Sequence, residues 1–247
     1  MFQFAPDPVS DAGATMASMT GPASPASPAA ADYAAYEAWC AARDAAAFGP
    51  HGLATLAGTV WLTTGADPGV PAEATLGSLL LRRFEREGQV AVRVYDPERL
   101  NYGGVEFIER YLYDAAMAVP GRFDATPSDP TPTRAVDGYL STTVYAGTVR
   151  FALAGTELEL LAHRSGDDLF AAFSDASDAD RDSSYEFRMI RIPAPGPDGR
   201  VTVDLNRAYL PPSRFSPHFV CVLPPATNRW QVPVRAGERR IVPRDQD

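Results

Sequence analysis

Three short segments in the middle of the chain alternate apolar and polar residues, and turn-forming residues separate them. They are residues 148–153 (TVRFAL), 156–163 (TELELLAH) and 168–175 (DLFAAFSD). Successive side chains of a strand point to opposite faces, so a period of two indicates a strand with one buried face. The connections, Ala-Gly and Arg-Ser-Gly-Asp, are short enough for hairpins. The pattern therefore predicts a three-stranded antiparallel meander.

Six further segments are rich in β-branched and aromatic residues and are bounded by glycine, proline or aspartate, which is typical of strands. They are residues 54–62, 89–95, 139–146, 185–192, 200–205 and 231–234. Strands and helices do not alternate as a parallel sheet would require. The sequence predicts a mainly β fold, either an antiparallel β-sandwich or a partly closed barrel. Residues 120–133 and 193–199 are predicted loops, which either cross a sheet edge or separate subdomains.

One helix is predicted, over residues 32–48. Asp32 is a suitable N-cap, Tyr36, Trp39 and Arg43 recur at helical spacing, and Gly49-Pro50 ends the pattern. Residues 1–31 are rich in proline, alanine and serine, and we expect a disordered leader. Residues 32–247 are then a single β-rich domain that opens with this helix.

Composition limits the kinds of partner that the protein can bind and the compartment in which it is expected. The hydrophobic content of 45% supports a core, while 22 basic against 31 acidic residues give a net charge of -9, which disfavours nucleic acid. No apolar run approaches the roughly 20 residues that cross a bilayer, so we expect no membrane span. Cys40 and Cys221 are predicted to be free thiols, and no secretory signal is evident, so the expected location is cytoplasmic. The oligomeric state is unknown at this point.

Residues 201–238, here called the closing segment, read VTVDLNRAYLPPSRFSPHFVCVLPPATNRWQVPVRAGE. Two diprolines, Pro211-Pro212 and Pro224-Pro225, stiffen it, and a polar run precedes the first of them. The segment resembles the C-terminal signature of a family of bacterial and archaeal proteins catalogued as domain of unknown function 1684, with its NRAY, diproline and AGE elements. The resemblance implies no known activity.

The resemblance extends over about residues 36–239. Trp39 and Arg43 look like the helical tryptophan and arginine of the family, and residues 93–98 (RVYDPE) look like its arginine and DP element. One departure bears on function. Ser213 stands where many members have a cysteine, so a cysteine pair for metal or redox chemistry is excluded in this chain.

Asp204, Asn206, Arg207 and Tyr209 are the first candidate ligand-binding residues. On an extended strand Asn206 faces opposite Arg207, and a strand end can present such groups to a pocket. Arg207 is predicted to hold a carboxylate or phosphate, with Asn206 and Tyr209 orienting it. The alternative is structural, with Asp204 and Arg207 fixing the diproline loop to the sheet, and the sequence favours this interpretation.

Asp175, Tyr185 and Arg188 form the second candidate group, together with Arg191. The two arginines are three positions apart and point to opposite faces of a regular strand, so both reach one ligand only across a bulge. A surface ion-pair network is the favoured alternative. Asp178, Asp180 and Asp182 have the spacing of a calcium loop, but Ser183 and Met189 replace the required glycine and glutamate. We predict no metal and no cofactor.

The first functional hypothesis is a β domain that binds a small anionic molecule or a peptide. The second is a cofactor-free hydrolase-type enzyme, in which Asp175 or Asp204 is the base and neighbouring arginines stabilise negative charge. A third is a structural protein whose leader provides attachment. The sequence does not establish whether the protein is an enzyme.

Overall fold

The computed structural model describes residues 28–62, 71–102, 106–179 and 186–243. These residues form two helices, α1 (Pro28–Phe48) and the short α2 (Arg99–Tyr102). They also form fourteen strands: β1 (Leu56–Trp61), β2 (Glu73–Leu76), β3 (Leu79–Arg86), β4 (Gln89–Tyr95), β5 (Glu106–Arg110), β6 (Ala118–Asp124), β7 (Thr131–Arg134), β8 (Leu140–Thr143), β9 (Gly147–Leu153), β10 (Thr156–Ser165), β11 (Asp168–Phe173), β12 (Arg188–Ile192), β13 (Arg200–Asp204) and β14 (Glu238–Pro243).

Six antiparallel strands form the main sheet, in the order β12-β11-β10-β9-β6-β13. The predicted meander is confirmed, because β10 pairs with both β9 and β11. The edge strands β12 and β13 contact each other and are joined by the loop 193–199. Beyond β13, Tyr209 exchanges two 2.8 Å backbone hydrogen bonds with Met189 of β12. The sheet therefore curls into a partly closed barrel, one of the two predicted architectures.

The barrel interior is filled by the inward residues of its strands and by the end of the closing segment. Val149 and Leu160 are fully buried, as the alternation predicts. Trp230 stacks on Phe173 with ring centroids 4.7 Å apart and donates a 2.9 Å hydrogen bond from Nε1 to the carbonyl oxygen of Glu159. Val234 also belongs to this core. The closing segment thus folds into the barrel, where it acts as a core element.

A second sheet, in the order β1-β4-β3-β2, packs beside the barrel. Leu56 and Tyr95 from this sheet share a buried cluster with Phe170 and Met189 of the barrel and with Phe219 of the closing segment. The two remaining pairs complete the described strands: β7 and β8 form a hairpin, and β14 pairs with β5 from a distant part of the sequence. The closing segment therefore contacts both sheets.

Helix α1 begins at Pro28, four residues before the predicted start at Asp32. Proline is favoured in the first turn of a helix and alanine has the highest helix propensity, so residues 28–31 extend the helix. The predicted leader up to residue 27 lies outside the described residues. Tyr36, Arg43 and Ala47 form the buried face of α1. Among the described helices, none combines the length and apolar character that a bilayer crossing requires.

Several strand predictions were wrong. Residues 118–124 form β6, which overlaps the first five residues of the predicted loop 120–133, although this stretch contains Pro120 and Gly121. Residues 231–234 are not a strand. Val234 donates its backbone N–H to Asp175, and its carbonyl oxygen accepts a 2.8 Å hydrogen bond from Arg188. Side chains therefore satisfy the backbone groups that a strand would direct to a neighbouring strand.

Candidate functional site

Asp175 and Arg188 form an ion pair inside the barrel. Nη2 of Arg188 lies 2.9 Å from Oδ1 of Asp175, and each side chain is 1% exposed. Arg188 also donates to the carbonyl oxygens of Val234 and Ala236, while Asp175 accepts a 2.8 Å hydrogen bond from Oγ of Ser177. The pair therefore attaches the closing segment to the barrel.

Asp204 and Asn206 have partners of their own within the chain. Residues 205–207 form a 3-10 turn rather than the extended strand end that the sequence predicted, and Asp204 caps it by accepting from the backbone N–H of Asn206. Asn206 is 1% exposed and exchanges two hydrogen bonds with the backbone of Asp114, at 2.9 and 3.0 Å. Arg207 lies 3.1 Å from Asp204 and is partly exposed. Asp204, Asn206 and Arg207 therefore all have partners within the chain at this turn.

Tyr209 is buried, and its ring centroid is 4.8 Å from the guanidinium carbon of Arg43. Tyr185 lies outside the described residues, as do Asp180 and Asp182 of the predicted calcium loop. Within the described residues, no hydrogen bond or ion pair joins the Asp175–Arg188 group to the Asp204–Asn206–Arg207 group. The predicted ligand role of these residues stays a prediction, and the contacts observed are those of structural groups.

A second buried ion pair joins helix α1 to the end of the closing segment, and the sequence patterns did not reveal it. Glu238, the glutamate of the AGE element, accepts hydrogen bonds from Nε of Arg43 at 2.9 Å and from Nη2 of Arg43 at 3.0 Å. It also accepts a 2.8 Å hydrogen bond from the backbone N–H of Leu210, and Arg110 approaches it at 3.5 Å. Arg43 at helical spacing with Tyr36 and Trp39 was the available signal, because an arginine on the apolar face of a helix needs a buried partner.

Three arginines lie side by side on the solvent face of the barrel. Arg122 on β6 is directly opposite Arg200 on β13 and, on its other side, directly opposite Arg150 on β9. All three are exposed. We call Arg200, Arg122 and Arg150 the arginine row. Like charges in directly opposite positions are destabilising, so this register places mutually repelling side chains next to one another.

The outer members of the row have carboxylate partners and the central member has none. Arg150 pairs with Glu159 at 2.9 Å and with Asp124 at 3.4 Å. Arg200 pairs with Asp198 at 3.1 Å. Among the residues that the structure describes, Arg122 forms no ion pair or side-chain hydrogen bond. The row therefore holds one cation that the chain leaves unneutralised.

Two adjoining surface grooves, of about 860 and 790 Å³, share Arg122, Arg150 and Ala194. Their wall is the loop 193–199, whose Gly199 accepts a 2.7 Å hydrogen bond from the backbone N–H of Phe123. A Cβ on Gly199, where φ is +77°, would lie 2.8 Å from the carbonyl oxygen of Phe123, so this turn requires glycine.

The two grooves differ in charge. The larger one carries Arg122, Arg150 and Arg164 with Asp124, Asp167 and Asp198, so its charges balance. The smaller one carries the whole arginine row with a single acid, Glu157. Its remaining floor includes the exposed small residues Pro120, Ala152 and Thr202. The smaller groove is thus a cationic site in an acidic protein.

Burial moves the pKa values of His163, Tyr145 and Cys221 away from neutrality. Burial lowers the pKa of His163 to about 4 and raises the pKa of Tyr145 to about 12. Burial also raises the pKa of the Cys221 thiol, which makes the thiolate less available. At the grooves, hydrogen bonds from Thr126 lower the pKa of Asp124, which keeps it ionised.

Cys40 and Cys221 are both free thiols. Within residues 28–62, 71–102, 106–179 and 186–243, no three histidine, cysteine, aspartate or glutamate residues are grouped as metal ligands.

A family model described as a protein of unknown function (DUF1684) matches residues 104–239. The chain belongs to this family. The DUF1684 match contains the arginine row, the Asp175–Arg188 pair and Glu238, whereas Arg43 lies before it. The solution NMR structure of an uncharacterised protein from Haloarcula marismortui is similar at 26% identity, covering 53% of this chain and 75% of that chain with a TM-score of 0.42. No curated protein matches.

Proposed function

We propose that this DUF1684 protein binds a small anion at the arginine row. The observation that carries the proposal is the position of Arg122, which lies between two directly opposed arginines and has no carboxylate partner among the described residues. A bound carboxylate or phosphate would neutralise Arg122 and remove the repulsion along the row. Guanidinium groups suit this role because their planar donors bind such anions through two parallel hydrogen bonds.

The remaining candidate arginines support this choice of position. Arg188 donates its hydrogen bonds to Asp175 and to carbonyl oxygens of the closing segment, and Arg207 pairs with Asp204. An anion at Arg188 would have to replace contacts that hold the core together. The exposed row can take an anion without such a loss.

The hydrolase hypothesis has less support. Asp175 is paired with Arg188 and Asp204 caps a turn, so neither carboxylate faces an open groove as a base. Binding is therefore the function that the geometry favours.

The test is a thermal unfolding series with inorganic phosphate at constant ionic strength, which separates binding from screening. A site-specific ligand stabilises the folded state by about 2.7 kcal/mol when its concentration is about 100 times its Kd. We expect phosphate to raise the Tm of the wild type above the chloride control and to leave Arg122→Ala unchanged. Arg134→Ala removes an exposed arginine of β7 that lines neither groove, and it should respond like the wild type.

An equal phosphate response of the wild type and Arg122→Ala, or no response of the wild type at any phosphate concentration, would refute the proposal. Arg122→Lys sharpens the test because it keeps the charge and loses the two-pronged geometry. It should retain only part of the response.

Two sequence-based expectations remain as proposals. A single domain over residues 32–247 is supported by the buried Arg43–Glu238 pair, which joins α1 to the end of the closing segment. A cytoplasmic location is supported by the free thiols of Cys40 and Cys221. Limited proteolysis checks the first proposal, and cell fractionation checks the second.

A further inference from the structure

We propose that the ligand of the arginine row is a short linear anion with two or three acidic groups, lying across the strands. This inference rests on the proposed anion-binding function and concerns the class of ligand. Its chemistry is that of a di- or triphosphate group or of a di- or tricarboxylate.

The spacing of the row sets the number of acidic groups. Arg200, Arg122 and Arg150 occupy three neighbouring strands in register. Strands are about 4.8 Å apart, so the backbone positions of the outer two arginines are separated by about 10 Å. A single phosphate centred on Arg122 contacts the full row only if the outer guanidiniums leave their carboxylate partners and converge on it. A linear anion with two or three acidic groups can meet each guanidinium in turn.

Carboxylates at both ends limit the length of the ligand. Glu159 on β10 lies directly opposite Arg150 and pairs with it, and Asp198 pairs with Arg200 at the other end. A longer polyanion would place its next acidic group against one of these carboxylates, which is repulsive. The row therefore suits a short anion, and a nucleic acid strand would meet acidic residues on both sides.

The test is isothermal titration at constant ionic strength with orthophosphate, pyrophosphate and tripolyphosphate, and in parallel with acetate, succinate and tricarballylate. We expect Kd to fall by about tenfold or more from the one-group to the three-group member of at least one series, because each added group gains a charge-assisted contact. The series in which Kd falls more steeply shows whether the acidic groups of the ligand are phosphoryl groups or carboxylates.

Arg200→Gln is the informative variant, because it removes an outer arginine and keeps Arg122. It should lose most of the gain from the longer anions and should weaken orthophosphate binding much less than Arg122→Ala does. Asp198→Asn and Glu159→Gln should improve binding of tetraphosphate, since each removes an end carboxylate. Arg134→Ala is the control for net charge and should match the wild type.

The outcomes separate the two proposals. If no anion of either series binds, the proposed function fails. If orthophosphate binds at Arg122 but tripolyphosphate and tricarballylate gain nothing over the one-group anions, the function stands and the inference on ligand class is overturned. Affinity that keeps rising with the length of a single-stranded oligonucleotide would also overturn the limit to short anions.

Discussion

The barrel interior and its solvent face use the same residue type in opposite ways. Arg188 inside the barrel and Arg43, buried between α1 and the closing segment, each have a carboxylate partner at 2.9 Å and donate further to backbone carbonyl oxygens. On the face, three arginines lie beside one another, and Arg122 has no such partner among the described residues. Buried charge must be neutralised within the chain because water cannot reach it. Exposed charge is free of that requirement.

The most distinctive residues of the chain are therefore not the ones most accessible to a ligand. The NRAY and AGE elements of the closing segment contribute Asn206, Tyr209 and Glu238, and all three are buried in structural contacts. The arginine row belongs to three ordinary strands. The motif residues therefore stabilise the fold, whereas the register of the strands brings the residues of the candidate site together.

The largest expected effect is that of Arg188→Met. The substitution leaves Asp175 buried without its cation and leaves carbonyl oxygens of the closing segment without a donor, so the free energy of unfolding should fall by about 3–5 kcal/mol. Urea unfolding measures it. Arg191→Met on the same strand removes a half-exposed pair with Asp168 and should cost at most about 1 kcal/mol. Similar costs for both variants would contradict the distinction between interior and face.

The next effect is a dependence of stability on pH through His163. Its folded pKa of about 4 lies below the unfolded value of about 6.5, so the unfolded state takes up the proton first. The neutral, buried His163 therefore contributes its full share to the free energy of unfolding above about pH 6.5. This share is lost as pH falls towards 4, a change of about 3 kcal/mol. Urea unfolding of the wild type and His163→Gln across this range measures it. The variant should lack this part of the slope, and identical slopes would contradict the assignment.

Glu238→Gln should lower the free energy of unfolding by about 2 kcal/mol. Glutamine still accepts from the backbone N–H of Leu210, but it no longer neutralises Arg43. Glu109→Gln is the matched control, because Glu109 pairs with Arg239 and Arg240 at partly exposed positions. A loss in Glu238→Gln no larger than that of the control would show that the pair between α1 and the closing segment is not a structural tie.

The smallest expected change in stability is that of Arg122→Ala. Arg122 is exposed and flanked by like charges, so its removal should alter the free energy of unfolding by no more than about 0.5 kcal/mol in the absence of anions. A loss of several kcal/mol would mean that Arg122 supports the fold and would remove the contrast with Arg188.

The fold was largely predictable where local pattern decides it. The meander alternates cleanly because one face of each strand is buried, and β4 has the predicted bounds of Gln89–Tyr95. Strands β5 and β14 were missed because their sequences, EFIER and ERRIVP, are rich in charge, and the pairing that forms them is between distant segments. Residues 231–234 alternate like a strand, but Asp175 and Arg188 bind the backbone of Val234.

The candidate site was not predictable, because it depends on register. Nothing local to Arg122, Arg150 or Arg200 distinguishes them from other exposed arginines, and only the pairing of β13, β6 and β9 places them in a row. The reverse holds for Arg188 and Asn206, whose residue types suggested a ligand site. Both residues are buried, which a single sequence does not show, and their polar groups bond to other groups of the chain.

The most direct test of the contrast is an NMR titration that follows the Nε–Hε signals of the 22 arginines as pyrophosphate is added. We expect saturable shifts for Arg122, Arg150 and Arg200, and no shift for the buried Arg43 and Arg188. Shifts that spread evenly over exposed arginines, or that centre on Arg207 or Arg188, would contradict it.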